Sequence, residues 1–199
     1  MVGQALLGHG RLDQGEAFYG KHCVAMRHPS PRRGGAGGGF IHIMAITNED
    51  AAALCARVYA IVRACPVGRV TTYGAIGKVL GYPRGARMIG WIMNETPDRL
   101  AIPAQRVISK DGTLSGGWAF GGVEAMRGLL EGEGVGFDER GRARMKIHEW
   151  DPTRDLSPDD LAQLLADAPA ALAVEPSVQL LRLLNRDAAS PFSQPTARM

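Results

Sequence analysis

The sequence predicts a mainly α protein: a small helical bundle that contains a helix-turn-helix and has minor β content. Three observations carry this reading. Apolar residues recur at helical spacing, the β-branched run Val70-Thr71-Thr72 is brief, and two short helix signals flank a turn built from Gly and Pro.

Each element follows from local chemistry. Asn48-Glu49-Asp50 offers capping acceptors for a helix whose apolar positions Leu54, Val58, Ile61 and Val62 share a face, and Pro66 lies beyond its end. Thr72 then caps a helix from Tyr73 to Leu80, which Gly81 stops. Tyr82-Pro83-Arg84-Gly85 makes a tight turn. A second helix from Ala86 to Asn94 buries Ile89, Ile92 and Met93, completing the helix-turn-helix. Further on, Ser157-Pro158-Asp159-Asp160 is a helix start ahead of Leu161, Leu164 and Leu165. A second leucine-rich helix spans Val178 to Leu184.

Three zones divide the chain. Residues 1–43 form a Gly/Arg-rich segment ending in Arg32-Arg33-Gly34-Gly35-Ala36-Gly37-Gly38-Gly39, which lacks the apolar surface needed to order itself. It reads as a flexible leader or an over-extended translation start. Residues 45–150 read as the folded domain, and 151–199 as an acidic C-terminal extension with two short helices. The chain of 199 residues, 45% of them hydrophobic, has enough apolar material for a core and no apolar run of membrane-spanning length. The leader has no basic start running into a continuous hydrophobic stretch, so it does not read as a signal peptide. Cys23, Cys55 and Cys65 are odd in number and lack metal-ligand spacing. They read as reduced thiols of a cytoplasmic protein, with no disulfide framework, no metal and no cofactor.

Charge is patterned more than it is large. The net +3 divides into a basic leader, a basic domain and an extension with four Lys/Arg against seven Asp/Glu. Residues 51–94 contain no acid, yet carry Arg57, Arg63, Arg69, Lys78, Arg84 and Arg87. Taken alone, that stretch fits either a polyanion-binding face or a solvated basic surface.

Four short motifs narrow the choice. Thr72-Tyr73-Gly74, Ala86-Arg87-x-x-Gly90, Ile102-Pro103-x-x-Arg106-Val107 and Ser115-Gly116-Gly117 follow one another between residues 72 and 117. Their order and spacing resemble the DNA-binding domain of O6-alkylguanine-DNA alkyltransferases, whose signature reads Pro-Cys-His-Arg-Val. Here Ala104 stands where the alkyl-accepting cysteine would be and Gln105 where the relay histidine would be. A methyl group is no nucleophile, and an amide cannot take up a proton. Of the three relay members only the acid remains, as Glu133. The chain is thereby identified as a member of the alkyltransferase-like proteins, which bind alkylated DNA without repairing it.

The resemblance implies the winged-helix-like fold of the alkyltransferase C-terminal domain, with the helix 86–94 in the minor groove. It assigns DNA contacts to Tyr73, Arg84, Arg87, Gly90 and Arg106. Arg87 would fill the hole left by a flipped nucleotide, and Tyr73 would crowd the flanking phosphate. A solvent-facing Arg87 and a core Tyr73 are the plain alternatives. The implied lesion pocket comprises Tyr73, Pro103, Ala104, Val107, Ser115, Gly116 and Gly117, with backbone N–H groups of 110–117 as donors, or else an ordinary loop there. Expected partners are double-stranded DNA containing O6-alkylguanine and nucleotide excision repair proteins. The protein is expected to be a monomer, nucleoid-associated if bacterial. The competing functions are alkyl transfer by an unorthodox nucleophile such as Cys65, and DNA binding without lesion preference.

Overall fold

The computed structural model describes residues 45–188, so the expected leader 1–43 and Cys23 lie outside the described residues. The fold is mainly helical, with one two-stranded parallel sheet. Helix α1 (Asn48–Ala64) is its axis. The cap lies one residue earlier than the sequence suggests: Thr47 Oγ1 accepts from Asp50 N at 3.1 Å while Asp50 Oδ2 accepts from Thr47 N at 3.2 Å. That reciprocal pair satisfies two N–H groups together, which Asn48 would not. The sequence predicts one apolar face, but α1 buries residues all round, from Ala51, Ala56 and Ala60 to Tyr59 and Ile61. A helix buried on every side needs cover on every side.

Strand β1 (Thr71–Thr72) leads directly into α2 (Tyr73–Val79), whose N-cap Thr72 accepts from Ala75 N at 3.1 Å. The turn 80–85 returns close over α2, and α3 (Ala86–Asn94) completes the helix-turn-helix. Gly77 makes that approach possible, because a Cβ there would lie 2.8 Å from the Tyr82 carbonyl oxygen. The buried face of α3 is Met88, Ile89 and Ile92. Met93, expected inside, is half-buried against this core, while Met88 is fully inside it. Tyr59 of α1 donates to the Ile92 carbonyl at 2.9 Å and ties the two helices together.

Strand β2 (Val107–Ile108) pairs with β1 in the register Thr71↔Val107 and Thr72↔Ile108. This short pairing places the 102–108 segment beside the start of α2. Thr71 is fully buried, and its hydroxyl has no hydrogen-bond partner among the described residues. Thr71→Val keeps the shape and removes the unsatisfied group. It is expected to stabilise the fold by about 1 kcal/mol, read as a raised denaturant midpoint with an unchanged slope.

A second core of Val70, Ile108, Leu114, Met126, Leu130, Val135 and Ala143 lies beneath α4 (Val123–Gly132). The chain then runs through α5 (Met145–His148) and α6 (Pro152–Asp155) into α7 (Pro158–Ala171), capped by Ser157 as expected, and α8 (Val178–Ala188). These last two helices supply the missing cover of α1. Ala168, Leu172, Leu180 and Leu184 join the core of α1 and α3. Arg57 donates to the Leu165 carbonyl at 3.2 Å. Ser177 bonds Glu95 beyond α3, and the Arg186 guanidinium lies 5.8 Å from the Trp91 ring.

Candidate nucleic-acid interface

The acid-free basic stretch separates by element. Arg57, Arg63 and Arg69 donate to the carbonyls of Leu165, Leu100 and Ile147, so their guanidinium groups staple distant segments to the core. Lys78, Arg84 and Arg87 are exposed on the helix-turn-helix. Arg87 is the second residue of α3 and makes no hydrogen bond or ion pair among the described residues. Gly90 lies one turn further on, and a Cβ there would meet nothing within 4 Å. Arg87, Gly90 and Asn94 therefore share the face opposite Met88, Ile89 and Ile92. That face combines a free planar cation with an unobstructed backbone, the pair of features needed to enter a groove.

Pro103 introduces a 3-10 turn, Ala104–Arg106, that ends in β2. Its two polar side chains both turn to Glu133, just past α4. Gln105 Nε2 donates to Oε1 at 2.7 Å, and Arg106 Nε donates to Oε2 at 2.7 Å. Arg106 also donates to the Cys65 carbonyl at 2.7 Å. Arg106 thus lies inward, with 12% of its side chain exposed, in an ion pair with Glu133 at 15%. It was expected at the DNA, but it holds the 3-10 turn to α1 and α4. Val107 likewise points into the core, at 1% exposure. The segment beyond Glu133 is fixed by His148, whose Nδ1–H donates to the Gly68 carbonyl at 2.9 Å while Nε2 accepts from Gly136 N at 3.0 Å.

Tyr73, Ser115 and Gly116 come together from separate segments. A Cβ on Gly116 would lie 3.1 Å from the Tyr73 hydroxyl, and Ser115 Oγ is 2.8 Å from Ser109 Oγ. Burial pushes the Tyr73 phenol above its usual range, and the Ser115 contact offsets part of the shift. Tyr73 is half-buried, between the two readings the sequence allows. In the loop, the N–H groups of Gly112, Thr113 and Gly117 are already bonded within it. Those of Ser115 and Gly116 make no hydrogen bond among the described residues. Gly117 is a packing glycine, because a Cβ there would come within 2.7 Å of the Val123 backbone.

Cys65 is 1% exposed, and burial pushes its thiol up to about 12, with the Arg106 charge pulling the other way. Cys55 is also pushed up to about 12 by burial. Neither supplies a thiolate near neutral pH. Among the described residues no group of three or more His, Cys, Asp or Glu is placed to hold a metal ion, and no helix is long and apolar enough to cross a membrane. Two features escaped the sequence reading: the inward clamp on Glu133, and Trp118, 64% exposed beside Gly117. The flanking pairs Gly116-Gly117 and Gly121-Gly122 were the available signal for the second.

Residues 53–135 match the family described as 6-O-methylguanine DNA methyltransferase, DNA binding domain. The chain is similar to the DNA base-flipping protein of Escherichia coli (strain K12), with 35% identity over 94 residues, 47% of this chain and 71% of that protein. It is similar to alkyltransferase-like protein 1 of Schizosaccharomyces pombe, with 32% identity over 100 residues, 48% of this chain and 93% of that protein. Among solved structures it is similar to S. pombe Atl1 in complex with damaged DNA containing O6-carboxymethylguanine. There the identity is 31% and the TM-score 0.44, covering 50% of this chain and 95% of that one.

Proposed function

Because the chain belongs to the alkyltransferase-like family, we propose that it is a non-enzymatic sensor of O6-alkylguanine in duplex DNA. It binds the damaged duplex, turns the modified nucleotide out of the stack and marks the site for nucleotide excision repair. The observation that carries this is the state of the 3-10 turn. Ala104 has no nucleophile, and Gln105 donates its amide to Glu133, where a relay would need a base able to pass a proton. With both described cysteines buried and protonated, an unorthodox thiol nucleophile has no support there.

The roles proposed are supported by the exposure of Lys78, Arg84 and Arg87 and by the unbonded loop N–H groups. Arg87 fills the gap left by the extruded nucleotide, and Gly90 lets α3 approach the minor groove. Tyr73 crowds the flanking phosphate, while Lys78 and Arg84 neutralise phosphates. The N–H groups of Ser115 and Gly116 bond the lesion base against Pro103 and Ala104. Arg106 and Val107 shape the pocket from behind. No metal or cofactor enters this scheme, and the protein acts as a monomer in the cytoplasm or on the nucleoid. A protein that holds a lesion it cannot reverse needs a partner that excises it, which is why excision repair is the class proposed.

The test is a titration, at fixed salt, of one duplex with and without a single O6-methylguanine bearing a labelled methyl group. Tighter binding to the lesion with no label on the protein is expected. Label on the protein would establish a transferase, and equal binding would establish a DNA-binding module without lesion preference. In the same assay Lys78→Ala is expected to weaken both duplexes alike. It should also flatten the dependence of log K on log salt by about 0.9.

A further inference from the structure

We infer that Trp118 is the wall that reads the substituent on O6, favouring apolar and aromatic adducts. This rests on the lesion-binding reading above and names the residue that sets its specificity. Trp118 lies in a 3-10 turn, Gly117–Phe120, that follows Gly116 without a break. Gly116 sits against the Tyr73 hydroxyl, so the indole starts two residues from the proposed pocket.

The turn is built to present that ring. At one end Gly117 is pressed onto the Val123 backbone, where no side chain would fit. At the other end Gly121 and Gly122 adopt φ of +84° and +142°, conformations that L side chains rarely take. Between them the two aromatic residues separate. Phe120 packs against the second core, whereas Trp118 keeps 64% of its surface exposed. Residues two apart on a 3-10 turn point to different sides, so anchoring Phe120 turns Trp118 outward. Val123, 51% exposed, adds an apolar neighbour beside Gly117.

Next to the proposed pocket the chain thus carries polar Tyr73 and Ser115 and the exposed apolar residues Trp118 and Val123. An O6-alkylated guanine has the same division: a base edge that hydrogen-bonds and a substituent that does not. Ala104 contributes only a methyl group, which leaves the indole as the large flat surface available to that substituent.

The test measures Trp118→Ala and Trp118→Phe on three duplexes: unmodified, O6-methylguanine and O6-benzylguanine. Trp118→Ala is expected to lose about tenfold in affinity for the benzyl lesion, much less for the methyl lesion, and nothing for unmodified DNA. Trp118→Phe should restore most of the benzyl affinity. A loss on the benzyl duplex no larger than that on the methyl duplex overturns the proposal and leaves the sensor reading intact. If the wild-type protein prefers neither lesion over unmodified DNA, the sensor reading fails and the proposal fails with it.

Discussion

Arg87→Ala is expected to weaken binding to an O6-methylguanine duplex by about 30-fold while changing affinity for unmodified DNA by less than about threefold. Extruding a nucleotide costs a few kcal/mol in lost stacking and pairing, and a guanidinium in the gap recovers part of it by stacking and by bonding the orphaned base. Arg87 is the second residue of α3, is exposed and makes no hydrogen bond or ion pair among the described residues. Arg87→Lys should fail to restore lesion binding, because an ammonium supplies charge without a plane. Equal losses on both duplexes would make Arg87 a phosphate contact instead. Comparison with Lys78→Ala then separates flipping from general attraction.

The second large effect concerns stability. Glu133→Ala is expected to destabilise the fold by about 3 kcal/mol, because it strands a mostly buried Arg106 charge and the Gln105 amide together. For a domain of this size that corresponds to a melting temperature lower by roughly 10 °C. Glu133→Gln keeps an acceptor and should cost less. Combining Glu133→Leu with Arg106→Met removes both charges and should recover much of the loss, as for other buried pairs. Thermal melts of the four proteins decide it. A loss below about 0.5 kcal/mol in Glu133→Ala would show that the clamp is not a structural element. In the fold Glu133 accepts from both Gln105 and Arg106.

The helix-turn-helix was legible because its signals are local. Thr72 caps α2, Gly77 and the turn 80–85 allow the close return, and α3 starts at the expected Ala86. The face of α3 differs by one residue, with Met88 buried and Met93 half-buried, because the elements packed around α3 set the face. Lys78, Arg84 and Arg87 lie exposed as a basic face would have them. Of the other cations in that stretch, Arg63 and Arg69 are exposed as well, but they and Arg57 each also bond a distant segment. Their targets are backbone carbonyls up to 108 residues away, which leave no trace in composition.

Arg106 shows the limit most clearly. Its motif marks it as part of a DNA-binding site, and nothing local says that Glu133 and the Cys65 carbonyl will claim it. The sequence by itself determined the helical class, the helix-turn-helix and the absence of a nucleophilic side chain at Ala104, because caps, turns and side-chain chemistry act within a few residues. Only the tertiary structure decided which cations face solvent, how α7 and α8 complete the burial of α1, and where Trp118 is held. Those outcomes depend on contacts between residues far apart in the chain, and whichever partner is nearest in space takes the charge or covers the apolar face.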